Sequence, residues 1–212
     1  MKSFQIQQIK INTLNIKLLF FIIVNFWITY LSAQPIFKEL PPTKTNVYFK
    51  NTEINNLKVE EYMYAGGGVG IGDINNDGLQ DIYLVGHSAP DKLYLNKGNM
   101  IFEDITANAF KTDTSKGYHT AVSMVDINAD GFLDIYICKR LIEEEGTTNL
   151  LYINNKDSTF SERIYEYGLS SSSETFQIAF FDYDLDGDLD AYMLNSIIGE
   201  EKIEEQQNES FL

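Results

Sequence analysis

Short runs of β-branched and aromatic residues, bounded by turn residues, fill the middle of this chain, and they come in sets. An apolar stretch opens each set: Gly68–Gly72, Ala121–Val125 and Gln177–Phe181. A polar loop follows, then a second run: Asp81–Val85, Asp134–Cys138 and Asp190–Leu194. The first two sets continue with a further pair of runs, Lys92–Asn96 with Phe102–Ile105 and Leu150–Asn154 with Phe160–Ile164. The turn residues Asn96–Asn99 and Asn154–Asp157 join the members of each pair. The pattern predicts four antiparallel strands per unit, and alternation along them assigns most of the 13 tyrosines to packing between sheets. Units spaced 53 and then 56 residues apart have the length of a propeller blade. The expected fold is all-β, with β-propeller blades of four antiparallel strands, about three blades and an incomplete ring. Glycines at 66, 67, 68, 70 and 72 suit a first strand crowded near the propeller axis.

The loop between the first and second strand carries the candidate chemistry. It reads Asp-x-[Asn/Asp]-x-Asp-Gly-x-x-Asp three times, from Asp73, Asp126 and Asp182. Side-chain oxygens at loop positions 1, 3, 5 and 9, with a main-chain carbonyl at 7, form a hard-oxygen cage of the kind Ca²⁺ takes. The predicted ligands are Asp73, Asn75, Asp77, Leu79 and Asp81; Asp126, Asn128, Asp130, Phe132 and Asp134; and Asp182, Asp184, Asp186, Asp188 and Asp190. One such loop would be explained as a turn, because Asn and Asp accept local backbone hydrogen bonds and Gly supplies positive φ. A carboxylate at both positions 5 and 9 in three copies goes beyond what a turn needs, and without a cation those groups would raise one another's pKa. An EF-hand is excluded, since position 12 is Leu84, Ile137 and Met193 instead of a bidentate Glu, and the flanks are strands.

At these residues the chain resembles secreted bacterial proteins with FG-GAP or VCBS repeats, especially those carrying a C-terminal ASPIC/UnbV domain. The resemblance runs from about Phe37 to Leu194 and is most specific at Gly66–Tyr83, Leu93–Gly98, Leu150–Asn155 and Phe180–Asp184. It implies that the loop side chains hold Ca²⁺, as in the similar integrin α-subunit propeller. Such propellers have about seven blades, within the four-to-eight range of the fold, whereas three repeats and no ASPIC/UnbV domain are legible here. The expectation is therefore an N-terminal piece of a longer protein or a truncated product. Pro35–Leu40 resembles the last-strand segments at Phe102 and Phe160, and would supply the last strand of a closing blade.

The organisation expected is a signal peptide over 1–33, an N-terminal lead over 34–65, three repeats over 66–198 and an acidic tail over 199–212. Residues 1–33 combine Lys2, Lys10 and Lys17, no acid, a 14-residue apolar run from Leu18 to Leu31 and small residues at Ser32–Ala33. That is the plan of a secretory leader, and the run is short for a membrane span. Export to the periplasm, outer-membrane surface or extracellular space follows, with membrane association only if the leader stays uncleaved. Its removal takes the formal charge from −15 to −18, a surface that repels nucleic acid and acidic lipid. Eleven of the 31 acids lie in the three loops, so bound divalent cations would offset part of the imbalance. Cys138 is the single cysteine, which excludes an internal disulfide and assigns it as a small buried hydrophobe.

No nucleophile elbow or His-Glu-x-x-His pair is present, and His87 and His119 are assigned loop or core roles. Asn208–Ser210 fits a glycosylation acceptor by pattern only. Two functions follow. The first is a secreted calcium-stabilised module that binds a protein or carbohydrate partner and performs no chemistry. The alternative is a scaffold of an exported polysaccharide- or phosphodiester-cleaving enzyme whose catalytic part lies elsewhere.

Overall fold

A computed structural model describes residues 37–51, 67–86, 89–111, 118–140, 148–196 and 210–211, together with Lys17. The chain divides into two units, Met1–Glu39 and Leu40–Leu212. Only Lys17 and 37–39 of the first are described, so the leader expected over 1–33 lies outside the described residues apart from that lysine. No helix among the described residues is long and apolar enough to cross a membrane.

The second unit is built of antiparallel sheets. Blade 1 contains β1 (Val69–Gly72), β2 (Asp81–Leu84), β3 (Lys92–Asn96) and β4 (Phe102–Asp104), hydrogen-bonded in that order. Blade 2 repeats the plan with β5 (Tyr118–Val125), β6 (Asp134–Arg140), β7 (Leu150–Asn154) and β8 (Phe160–Glu162). Blade 3 pairs β9 (Glu174–Phe181) with β10 (Asp190–Ser196), and β10 with β11 (Ser210–Phe211). Four strands were expected in each unit, and the third has three among the described residues. Its third strand comes from the segment read as an acidic tail. The register explains this: Ala191 faces Phe211 as Ile135 faces Tyr152, so Ser210–Phe211 stands where Leu151–Tyr152 stands in blade 2. Two helical turns were not anticipated, α1 (Pro42–Thr45) in the lead and α2 (Thr106–Ala109) after β4. Phe37–Leu40 lies in no strand.

The blades stack face to face because their second strands are apolar on both sides. In β6, Ile135 and Ile137 are buried against blade 1 with Tyr83, Val85 and Leu93. The intervening Tyr136 and Cys138 are buried against blade 3 with Ile178 and Met193. Period-two alternation thus feeds two cores from one strand. The glycines of the first strand admit this approach. A Cβ on Gly68 would meet the Ala121 backbone at 2.9 Å, and one on Gly72 would meet Leu133 at 2.5 Å and the Met124 sulfur at 3.0 Å. Phe110, directly after α2, ties blade 1 to the outer part of blade 2. Its ring stacks on Phe160 at 5.4 Å, and its centroid lies 4.7 Å from Tyr152 and 6.0 Å from Tyr83.

A buried polar bolt crosses each interface at equivalent positions. Between blades 1 and 2, Asp91 accepts from the Tyr83 hydroxyl (2.8 Å) and the Gly86 N–H (2.8 Å), and lies 2.6 Å from His119 Nδ1. Between blades 2 and 3, Asn149 donates to the Tyr136 hydroxyl and to Thr175 Oγ1 (2.9 Å each) and accepts from the Lys139 N–H (2.9 Å). Both incoming side chains depend on a bulge. The pairing of β5 with β6 skips Thr120, and that of β9 with β10 skips Phe176, which shifts the phase and turns His119 and Thr175 toward the preceding blade.

Removing Asp91 would strand two buried donors, the Tyr83 hydroxyl and the Gly86 N–H, and take the partner from His119 Nδ1. Asp91→Ala is expected to lower the unfolding free energy by roughly 1–3 kcal/mol for each donor left without water or another acceptor, measured by urea denaturation. Phe110→Ala should cost roughly 3–5 kcal/mol by the same measurement, through the cavity left between blades 1 and 2.

Candidate metal centre

Each acidic loop leaves the end of a first strand and enters a second strand, and the three adopt one backbone form. The residue at loop position 4 has positive φ in every copy, 58° at Asn76, 54° at Ala129 and 63° at Leu185, and the glycine at position 6 follows at 87°, 87° and 97°. That left-handed pair folds the chain around the side chains, and the glycine carries it without a Cβ penalty. Hydrogen bonds repeat as faithfully. The position-1 carboxylate accepts the N–H of positions 5 and 6: Asp73 from Asp77 (3.1 Å) and Gly78 (2.7 Å), Asp126 from Asp130 (2.9 Å) and Gly131 (2.8 Å), Asp182 from Asp186 (3.2 Å) and Gly187 (3.1 Å). The side-chain oxygen at position 3 accepts the same position-5 N–H in Asn75, Asn128 and Asp184. Position 5 accepts from the N–H of Leu79, Phe132 or Asp188 at position 7.

The aspartate at position 9 closes the loop at its base. One oxygen of Asp81 accepts the Ile74 N–H (3.0 Å) and the other the Asn96 N–H (2.7 Å). Asp134 does the same with Ile127 (3.1 Å) and Asn154 (2.8 Å). Asp190 accepts the Tyr183 N–H at 2.6 Å. Asp81 and Asp134 are fully buried, so their carboxylates are held by main-chain donors alone. Burial pushes the Asp134 carboxyl up to about 6, and Asp130 and Asp126 push the same way against its two N–H partners. Asp81 is raised for the same reasons, burial first and then Asp77 and Asp73. Desolvation thus outweighs the mutual repulsion expected from the sequence, and the repulsion acts at position 9. Asp130 is lowered instead: its desolvation is outweighed by the Phe132 N–H, Asn128 and Lys156.

A hard divalent cation fits this donor set, which is all oxygen. Asp182, Asp184 and Asp190 each bring a carboxylate oxygen within 4.8 Å of the others. Two oxygens bound to one Ca²⁺ at about 2.4 Å stand at most about twice that distance apart. In the first two loops position 3 is the amide of Asn75 or Asn128, so fewer carboxylates converge. The Asn75 Nδ2 donates to Asp77 Oδ2 at 3.0 Å, and Lys156 Nζ lies 3.4 Å from Asp130 Oδ2 and 5.5 Å from the centre of the Phe132 ring. The loops of blades 1 and 2 are also joined to each other. Asn76 Nδ2 donates to the Gly131 carbonyl (2.8 Å), and Asn154 Nδ2 to the carbonyls of Ile74 (2.8 Å) and Leu133 (3.0 Å).

Other candidate groups have structural surroundings. Burial pushes the Cys138 thiol up to about 12, which keeps it protonated and unreactive. His119 lies within β5 and is buried, with Nε2 lacking a hydrogen-bond partner among the described residues; His87 lies outside them. The Asp91–Tyr83–His119 bolt was missed in the sequence. Its signal was there: Asp91 and Asn149 each stand five residues before the asparagine that ends the third strand, and His119 and Thr175 each stand seven before a loop.

Residues 73–137, from the first loop into β6, match the FG-GAP-like repeat. A stretch of 100 residues, 46% of this chain, is 31% identical to cartilage acidic protein 1 of Xenopus tropicalis, and spans 15% of that protein's length. The likeness covers a small part of the relative, and the matched repeat contains the first two loops.

The raised Asp134 carboxyl sets a pH dependence for the metal-free protein. Below about pH 4 the group is protonated both folded and unfolded. Between there and about 6 the folded chain holds a proton that the unfolded chain releases, so stability falls as pH rises through this window. Urea midpoints in EDTA are expected to decline across that range, and Asp134→Asn to flatten the decline.

Proposed function

We propose that this chain is a calcium-stabilised β-propeller module that binds a protein partner outside the cell and carries out no chemistry of its own. The observation that carries the reading is the threefold repetition of one loop scaffold. In each copy the backbone N–H groups orient carboxylate oxygens that retain further lone pairs for a cation. Asp73, Asn75, Asp77 and Asp81 would hold the first ion, with the Leu79 carbonyl; Asp126, Asn128, Asp130, Phe132 and Asp134 the second; Asp182, Asp184, Asp186, Asp188 and Asp190 the third. The bound ion would supply the positive charge that the buried Asp81 and Asp134 lack, and binding to the folded state alone adds stability with concentration.

Several features support the wider reading. The FG-GAP-like repeat covers the first two loops, the relative bears the name of an acidic protein of cartilage, and the present chain has a formal charge of −15. The leader-like plan of residues 1–33 favours export. The carbohydrate partner and the enzyme-scaffold alternative rest on no observed group.

Thermal unfolding with calcium and with EDTA tests the reading, beside the triple variant Asp77→Ala, Asp130→Ala, Asp186→Ala. Calcium should raise the wild-type midpoint and leave the variant's unmoved. A folded wild type that ignores calcium would reduce the loops to turns. Within the set, Lys156→Gln should tighten calcium at the second loop by removing the competing ammonium from Asp130, read as a lower calcium midpoint in the same titration.

A further inference from the structure

Two asparagines that belong to neither predicted ligand set tie the first acidic loop to the second. Asn154, at the end of β7, is buried. Its N–H donates to Asp134 Oδ1 (2.8 Å) and its Nδ2 to the Leu133 carbonyl (3.0 Å), both at the base of the second loop. The same Nδ2 donates to the Ile74 carbonyl (2.8 Å) in the first loop. Asn76, in the first loop, reaches the other way and donates to the Gly131 carbonyl (2.8 Å) of the second. Each acceptor is a predicted ligand or the carbonyl joined to one. The Ile74 carbonyl leads into Asn75, the Leu133 carbonyl into Asp134 and the Gly131 carbonyl into Phe132, while Asn76 lies between Asn75 and Asp77.

The matching positions separate local work from the tie. In blade 1, Asn96 donates its N–H to Asp81 Oδ1 (2.7 Å) and its Nδ2 to the Gln80 carbonyl (2.8 Å), as Asn154 does with Asp134 and Leu133. The bond from Asn154 to Ile74 is additional, and it joins residues 80 apart in sequence, so it forms once blades 1 and 2 are packed. The amide of Asn76 is equally unneeded by its own turn. Ala129 holds the same left-handed conformation at the matching position of the second loop, φ 54° against 58°, with no side-chain donor.

We propose that these ties make the first two loops one cooperative calcium-binding unit, in which filling either loop tightens the other. The inference rests on the calcium reading given above and adds the coupling between its first two sites. A first loop held in its ion-binding form fixes Ile74 and Asn76, and through them the side chain of Asn154 and the Gly131 carbonyl. The second loop is thereby ordered beside Asp134 and Phe132 before its own cation arrives. Coupling belongs to the pair, so the effect runs equally in reverse. Charge alone gives the opposite sign, because a cation in one loop repels a cation in the next. That repulsion between exposed sites is weakened by salt, whereas the ties are short-range contacts, and the net effect is positive at physiological ionic strength.

Titration of the full chain with calcium at physiological ionic strength, followed by calorimetry and by equilibrium dialysis, tests the coupling. Asp186→Ala is present throughout to silence the third loop. Adding Asp77→Ala leaves the second loop to bind, adding Asp130→Ala leaves the first, and adding neither leaves both. The two-site protein should bind the pair at least about fivefold more tightly than the two single-site constants multiply to, the lower end of ordinary coupling. Asn76→Ala and Asn154→Ala, measured in the same three backgrounds, should each lower that factor and together bring it to one. Asn96→Ala removes the equivalent local bonds and should leave the factor unchanged, which distinguishes a tie from general loosening. Should Asn154→Ala lose its cooperative melt, Asn76→Ala carries the test, since Ala129 shows that the turn accepts alanine. Independent binding, mutual weakening, a factor that survives both substitutions or one that falls equally with Asn96→Ala would each overturn the coupling and leave the calcium reading standing. No calcium taken up by the two-site protein would remove both.

Discussion

The buried carboxylate at loop position 9 is the constraint on which the first two blades depend. In blades 1 and 2 it sits at the start of the second strand, and its two oxygens hold the loop behind it and the end of the third strand beside it. One side chain thereby fixes the loop's entry, its exit and the register of a neighbouring strand. A neutral group could not accept both N–H bonds as strongly, since hydrogen bonds to an ionised acceptor are about twice the strength of neutral ones. The charge is also a liability, because burial opposes it. Local order and electrostatic cost therefore meet at one residue: the group that orders the blade is the group whose charge burial opposes.

Between blades the chain uses two kinds of adhesive. Apolar residues on alternate sides of the second strands supply the area, and the polar bolts supply position. The two bolts differ in chemistry at the same sites, an aspartate with a histidine in one and an asparagine with a threonine in the other. What is preserved is the geometry of a tyrosine hydroxyl, a planar oxygen-bearing group and a donor or acceptor from the incoming strand. A bulge in the incoming strand keeps that third member aimed correctly in both cases.

Much of this was legible in the residues. The strand runs, the third-strand segments at Lys92–Asn96 and Leu150–Asn154 and the place of the acidic loops follow from alternation and turn chemistry, and the structure reproduces them. Gly68, Gly70 and Gly72 announced a crowded first strand, and the structure sets Gly68 against the Ala121 backbone and Gly70 and Gly72 against the side chains of Val122, Met124 and Leu133. Less visible was anything depending on contacts distant in sequence. Asp91 looks like a loop acid until Tyr83 and His119 are brought to it, and Ser210–Phe211 looks like part of a tail until β10 offers it an edge. The helical turn Thr106–Ala109 is too short to declare itself by periodicity. The loops showed their recurring oxygen-bearing side chains by spacing, whereas the fact that positions 1 and 9 spend oxygens on main-chain N–H groups needed the folded backbone.

Cys138 has a use that follows from its place. It is the single thiol of the chain, fully buried in the middle strand of the blade that is covered on both sides. A thiol-directed reagent can reach it only when blade 2 parts from blade 3, so the speed of its alkylation is a clock for that opening. The protein carries its own single-site gauge of how often the stack breathes, and no label has to be engineered into it.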